Sequence, residues 1–137
     1  LNGAIGYVEY AYAKQNKMTY LTMKNAAGEV VQPSDDAFKA AAAGADWSKS
    51  FYQILTNQSG KGAWPIAGAT FILLHKTQDK PAQAQEVMKF FDWAYRNGDQ
   101  LADDLDYVPL PAVVKDLVHK QWDARIKDAG RKAIAYK

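Results

Sequence analysis

Thr70-Phe71-Ile72-Leu73-Leu74-His75 is the most apolar run in the chain, and how it is read decides the fold class. Six residues with polar ends and no polar residue between them suggest a central strand buried on both faces. Downstream, Asp79-Lys80-Pro81 opens a helix with Pro81 at its first position. Val87, Phe90, Phe91, Ala94 and Tyr95 recur at i, i+3, i+4, i+7 and i+8, which predicts one apolar face. Asn97-Gly98 closes that helix. The last helix follows Pro109 and Pro111, with Val114, Leu117, Val118, Trp122 and Ile126 as its stripe. The tail from Asp128 to Lys137 is basic and is expected to be frayed or added on.

Working upstream, Asn57-Gln58-Ser59-Gly60-Lys61-Gly62 is a polar, glycine-rich break and the one boundary candidate. Before it, Ala4-Ile5-Gly6-Tyr7-Val8 reads as a short buried strand, and Glu9 to Asn16 as two helical turns stopped at Asn16-Lys17. Met18 to Met23 alternates like a strand. Asn25-Ala26-Ala27-Gly28 is turn chemistry, and Glu29 to Gln32 is a second strand. Ser34 can cap a helix whose first turn carries Asp35 and Asp36, the right sign for the dipole. Strands alternating with helices make the class α/β. Yet three or four strands, split by a glycine-rich crossover, are too few for a doubly wound sheet on either side. Each side reads as a piece of a sheet whose other strands come from elsewhere.

Composition narrows the function. The 137 residues are 48% hydrophobic and 12% aromatic, as in a globular chain. A formal charge of +2 gives no reason to expect nucleic acid as a partner. The absence of cysteine removes disulfides and thiolate metal sites and leaves the redox compartment open, an oxidising one being compatible. Leu1-Asn2-Gly3-Ala4 lacks an initiator Met and a leader pattern, so Leu1 is expected to be internal to a longer chain.

No P-loop, dinucleotide fingerprint, nucleophile elbow or zinc helix motif occurs. His75 and His119 stand far apart and are expected at a core edge and on the surface, rather than on a metal. Asp103-Asp104-Leu105-Asp106 could hold a metal, but it lacks the glycine-punctuated frame of a calcium loop and reads as solvated. Gly60-Lys61-Gly62 could cradle an anion, though a flexible crossover explains it better. Seven Lys and Arg against three Asp after Leu110 make a mildly positive helix face, either solvated or a docking surface.

Six blocks say more than these motifs. They are Gly3-Ala4-Ile5-Gly6-Tyr7-Val8-Glu9-Tyr10-Ala11-Tyr12-Ala13-Lys14, Gly44-Ala45-Asp46-Trp47-Ser48-Lys49, Leu55-Thr56-Asn57-Gln58, Ala63-Trp64-Pro65-Ile66, Lys89-Phe90-Phe91-Asp92-Trp93-Ala94-Tyr95 and Asp104-Leu105-Asp106-Tyr107. In order and spacing, from Gly3 to about Lys127, the chain resembles the C-terminal portion of the periplasmic phosphate-binding proteins of bacterial ABC phosphate importers. The tail after Asp128 matches poorly.

That resemblance implies an incomplete periplasmic binding protein type II fold holding the C-terminal parts of both lobes. Residues 1–62 would finish the second lobe, and 63–137 would form the hinge crossover and the C-terminal part of the first. The implied function is capture of inorganic phosphate in the periplasm and delivery to an ABC permease in the inner membrane. It implies no enzyme activity, no cofactor and no metal. The implied partners are phosphate, the N-terminal part of the same protein and the permease, with no nucleic acid. Phosphate in this family is gripped by backbone N–H groups, hydroxyls, an Arg and a proton-accepting carboxylate that rejects sulfate. Those donors belong to the earlier part of the family's chain, so no phosphate-binding residue is expected in this segment. Gly6 and Tyr7 are expected at the cleft edge, and Trp64, Pro65 and Ile66 at the hinge. The alternatives are a receptor for another oxyanion and a phosphatase-like enzyme, for which the sequence offers no nucleophile–base pair.

Overall fold

The computed structural model describes residues 2–137; Leu1 lies outside the described residues. The chain forms two compact units. One gathers residues up to Asp46, Tyr52–Ala69 and Asp104–Val108, and the other gathers Trp47–Phe51, Thr70–Asp103 and Pro109–Lys137. The architecture is mixed α/β, with far more helix than strand.

In the first unit, α1 (Tyr10–Gln15) buries Ala11 and Ala13. It stops at Asn16-Lys17 as the sequence predicts. Lys17 takes a left-handed φ of 51°, and the Met18 N–H returns to the Ala13 carbonyl at 2.9 Å. A hairpin follows, with β1 (Met23–Lys24) antiparallel to β2 (Val30–Val31) in the register Met23↔Val31 and Lys24↔Val30. Its turn needs Gly28, which sits at φ +83°. The Gly28 N–H donates to the Asn25 carbonyl at 2.9 Å. In α2 (Asp35–Ala43), the Ser34 hydroxyl accepts the Ala37 N–H at 3.3 Å, and Asp35 and Asp36 lie in the first turn. The core here is mostly alanine (Ala11, Ala13, Ala37, Ala41, Ala63, Ala67), with Leu55 and Trp64 as its large members. So small a set removes little apolar area from water.

The second unit is built on α3 (Pro81–Asn97), the start of α4 (Asp99–Asp104) and α5 (Ala112–Arg125). Pro81 occupies the first helical turn, as expected. In this unit β3 (Thr77–Gln78) pairs in parallel with β4 (Lys127–Asp128). Ala84, Met88, Ile126, Ile134 and Tyr136 form the core, with Leu74 and Trp122 packed against it. The Lys115 ammonium lies 2.8 Å from the Tyr95 carbonyl near the end of α3 and also reaches Asp99.

Three expectations change. The tail is not frayed: Ile134 and Tyr136 are core residues, and Lys127 also bridges Ala133. The apolar face expected on α3 is only partly the buried one. Ala84 and Met88 face the core, and Phe91, Ala94 and Tyr95 are half-buried, while Val87 and Phe90 stand exposed because the apolar residues spread over more of the helix than the core covers. Finally, 4–8 and 70–75 join neither sheet. Ile5, Tyr7, Ile72 and Leu73 are exposed where buried strands were expected. Their composition suits strands, but a strand exists only where a neighbour pairs with it in a ladder, and among the described residues neither run enters one.

Candidate functional site

Gly6 and Tyr7 lie in the run that leads into α1 and belongs to neither helix nor sheet, and both are exposed. Glu9, the residue before α1, is held from the far end of the sequence: its carboxylate accepts the Tyr107 hydroxyl. That bond pushes the Tyr107 phenol up from its ordinary pKa. One helical turn further on, Lys14 pairs with Asp106, and the hydrogen bond raises the Lys14 ammonium. Asp106 takes a left-handed φ of 62°, which fits its place in a tight return. The segment Asp104–Val108 is thus latched to α1 by two polar contacts. Asp106, read in the sequence as solvated, is half-buried and ion-paired.

Beside this latch is an open groove of about 340 Å³ lined by Tyr10, Lys14, Ser34, Asp35, Asp36 and Lys39. Two carboxylates balance two ammonium groups there. Such a surface offers an incoming oxyanion as much repulsion as attraction, so it is no phosphate cradle.

The glycine-rich turn does hold an anion, and the anion is the chain's own. The Gly62 N–H donates to the Glu29 carboxylate at 2.7 Å, and the Asn25 amide approaches the same oxygen at 3.3 Å. The Gly62 N–H, then Asn25 and the charge of Lys61 hold the Glu29 carboxyl below its usual range. Asn25 is itself buried, and its side-chain oxygen accepts the Glu29 N–H at 2.9 Å. The turn ties the hairpin to the segment that follows it.

That segment carries the expected hinge residues. Trp64 and Pro65 are buried and Ile66 is exposed. The Trp64 N–H donates to the Ala37 carbonyl at 3.0 Å, and the Asn57 N–H to the Pro65 carbonyl at 2.7 Å. Thr56 and Ile66 form an antiparallel bridge. All three residues lie within the first unit, fastened to α2 and to the strand-like stretch at Leu55–Asn57. Gly6 and Tyr7 share that unit, yet no bond joins them to Trp64–Ile66 among the described residues.

The second unit holds a polar cluster that sequence reasoning missed. His119, expected on the surface, is largely buried. Its Nε2 sits 3.0 Å from an Asp92 oxygen whose partner oxygen accepts from Arg96 at 2.9 Å. The His119 contact is a close approach without the angle of a hydrogen bond. Tyr95, Trp122 and Tyr136 surround the imidazole edge-on or stacked. The i, i+4 spacing of Asp92 and Arg96 was the only signal of this cluster in the sequence. His75 is exposed rather than at a core edge. Among the described residues no group of three or more His, Cys, Asp or Glu is placed to hold a metal. No described helix is long and apolar enough to cross a membrane.

No family model matches the sequence. Individual proteins do. The phosphate-binding protein PstS of Pasteurella multocida is 47% identical over 133 residues, which is 96% of this chain and 39% of that protein. PstS of Haemophilus influenzae is 48% identical over 126 residues, 90% of this chain and 38% of that protein. PstS of Xylella fastidiosa is 46% identical over 129 residues, 93% of this chain and 35% of that protein. The chain therefore spans less than two-fifths of the length of each of these curated relatives. Along nearly its whole length, the chain is a relative of one segment of the phosphate-binding proteins PstS.

Proposed function

We propose that this chain is the C-terminal portion of a receptor that captures inorganic phosphate in the periplasm and delivers it to an ABC permease. It acts as a binding protein and not as an enzyme. The observation that carries this is the 46–48% identity to PstS proteins across nine-tenths or more of the chain. The fold in question is the periplasmic binding protein type II fold, of which residues 1–62 complete one lobe. Residues 63–137 supply the hinge crossover and part of the other lobe. Trp64, Pro65 and Ile66 serve as hinge support, and Gly6 and Tyr7 edge the cleft.

In this reading the chain is scaffold, and the phosphate donors lie outside the stretch matched to PstS. The groove at Lys14 and Lys39 is charge-balanced, and the one N–H of the glycine-rich turn that meets an anion is occupied by Glu29. Isothermal calorimetry on the chain alone, at neutral pH, is expected to show no heat of phosphate binding. Heat should appear, for phosphate and not for sulfate, once the remainder of a PstS protein is present. Tight phosphate binding by the isolated chain would overturn the scaffold role.

A further inference from the structure

Six cations gather at one end of the second unit. The parallel register Thr77↔Lys127 sets β3 beside β4, and the Lys127 N–H donates to the Lys76 carbonyl at 2.8 Å. Lys80 follows β3 and directly precedes α3. Arg125 ends α5 just before β4 begins. The tail then folds back on β4: Lys127 bridges Ala133, and the Asp128 N–H donates to the Lys132 carbonyl at 2.9 Å. Arg131 makes that return at a left-handed φ of 62°, with its N–H on the Asp128 carbonyl at 3.0 Å. Lys76, Lys80, Arg125, Lys127, Arg131 and Lys132 are thus brought together from two stretches far apart in sequence.

The charge at this end is lopsided. Within residues 75–80 and 125–133 the carboxylates are Asp79 and Asp128. One Asp128 oxygen already accepts the Lys132 N–H at 2.8 Å. The Lys127 ammonium turns to the Asp123 carbonyl at 2.6 Å, and the Asp123 carboxylate is ion-paired with Lys137. Lys76, Lys80, Arg125, Arg131 and Lys132 are exposed, and among the described residues none of the five is in an ion pair. Elsewhere in the same unit Lys89 pairs with Glu86, Arg96 with Asp92 and Lys115 with Asp99. The backbone under the patch is held by its own bridges and turn, so what stands open here is charge.

We propose that this end of the second unit is a docking surface for an anionic phospholipid bilayer. The five open cations stand on helix ends and turns, on long flexible stems, and no side-chain hydrogen bond holds any of them in a fixed fork. That suits a plane of many equivalent negative headgroups. A stereospecific acidic peptide is read instead by pre-oriented guanidinium forks. No Phe, Tyr or Trp lies in either stretch to stack on nucleic-acid bases. The proposal goes beyond the phosphate reading and rests on it only for placing the chain beside a membrane. Each Lys or Arg near an anionic surface strengthens adsorption about 5-fold, and the effect dies within a Debye length. Six cations against two carboxylates therefore give on the order of 500-fold, a reversible and salt-sensitive adhesion.

The test is co-sedimentation of the whole chain, without phosphate, with vesicles of equal parts phosphatidylcholine and phosphatidylglycerol, and with vesicles of phosphatidylcholine alone. Ionic strengths of roughly 0.01 M and roughly 1 M set the Debye length at about 30 and about 3 Å. Partitioning onto the anionic vesicles should exceed that onto the neutral ones by about 100-fold or more at low salt and fall to the neutral value at high salt. Arg131→Gln with Lys132→Gln should cost about 25-fold, and Lys76→Gln with Lys80→Gln, on the other stretch, about as much. Lys17→Gln with Lys24→Gln makes the same change of net charge in the first unit and should cost less than about 2-fold. Equal binding to both vesicles, as exposed apolar runs would give, overturns the proposal. So does an equal loss from the patch pairs and the control pair, which reduces the effect to net charge. Tighter binding to poly-glutamate than to the anionic vesicles overturns the lipid assignment in favour of an acidic polypeptide. Phosphate calorimetry is a separate readout. Patch-dependent vesicle binding, with no phosphate heat once the remainder of a PstS protein is present, leaves the patch standing and sinks the receptor reading. Phosphate heat with equal binding to both vesicles does the reverse.

Discussion

Replacing Tyr136 by Ala tests whether the C-terminal tail belongs to the fold. Tyr136 is 3% exposed and packs against Trp122 at 5.3 Å between ring centroids and His119 at 6.3 Å. An aromatic side chain buries on the order of 150–250 Å², worth about 4–6 kcal/mol at 25 cal/mol per Å². Residual burial in the unfolded chain lowers that to about 2–5 kcal/mol. The cavity route gives about 3–5 kcal/mol for losing a large aromatic, so the two estimates agree. Tyr136→Phe is the control. The buried hydroxyl has no well-aligned partner, and burial together with the Asp123 carboxylate pushes the phenol well up. Removing it should change stability by less than about 1 kcal/mol. Urea unfolding in the cold, followed by tryptophan fluorescence, reads both variants. A loss under about 0.5 kcal/mol for Tyr136→Ala would place the tail outside the core, since surface substitutions stay within that range. An equal loss in both variants would instead show that the hydroxyl is bonded.

Met88, 1% exposed, fills the same core, and Met88→Ala should cost about 2–5 kcal/mol in the same urea assay. Ser34→Ala should lower stability by about 0.5–1 kcal/mol through loss of the cap on α2, whereas Ser34→Asp should keep it. Glu29 is held ionised by the Gly62 N–H, so its folded pKa lies below the ordinary carboxyl value. Its contribution is full above the unfolded value of about 4.3 and is lost as pH falls through the folded one. Hydrogen exchange at Gly62 should therefore speed up below that window, beyond the intrinsic trend, and Glu29→Gln should remove the transition.

Much of the helical fold is legible in the chain because its signals are local. Pro81 at the first turn of α3, Ser34 before α2, Gly28 in the hairpin and the stripe from Val114 to Trp122 on α5 each act within a few residues. What escaped depends on contacts far apart in sequence. Glu9 meets Tyr107 across 98 positions, and nothing near either residue announces it. The tail was misjudged because its basic charge outweighs two apolar residues. The alternation Ile134-Ala135-Tyr136 was the available sign that one side of the tail packs inward. On α3 the densest apolar count picked a face displaced from the buried one, catching Phe91, Ala94 and Tyr95, which are half-buried, together with the exposed Val87 and Phe90. Ala84 and Met88, four apart, mark the buried one, where a small residue lets the neighbouring segment approach closely. The hinge expectation at Trp64–Ile66 and the cleft-edge expectation at Gly6–Tyr7 came from family resemblance, and neither local pattern nor charge could have produced them.

The two apolar runs, 4–8 and 70–75, separate two properties that normally travel together. Composition makes a segment eligible to be a strand, but a ladder exists only between segments. Elements whose partners lie within the chain form: β1 finds β2 across the short turn Asn25–Glu29, and β3 finds β4 next to the docked tail. The most strand-like runs of all remain outside any sheet. Propensity therefore does not explain the pattern; the supply of neighbours does. The chain closes the Gly62 N–H and the start of α1 with its own carboxylates, while leaving its most strand-like runs outside any sheet. Polar groups left open would be satisfied by water, whereas apolar runs left open are satisfied only by more polypeptide. That asymmetry makes the exposed apolar runs, more than any polar group, the largest unmet demand among the described residues.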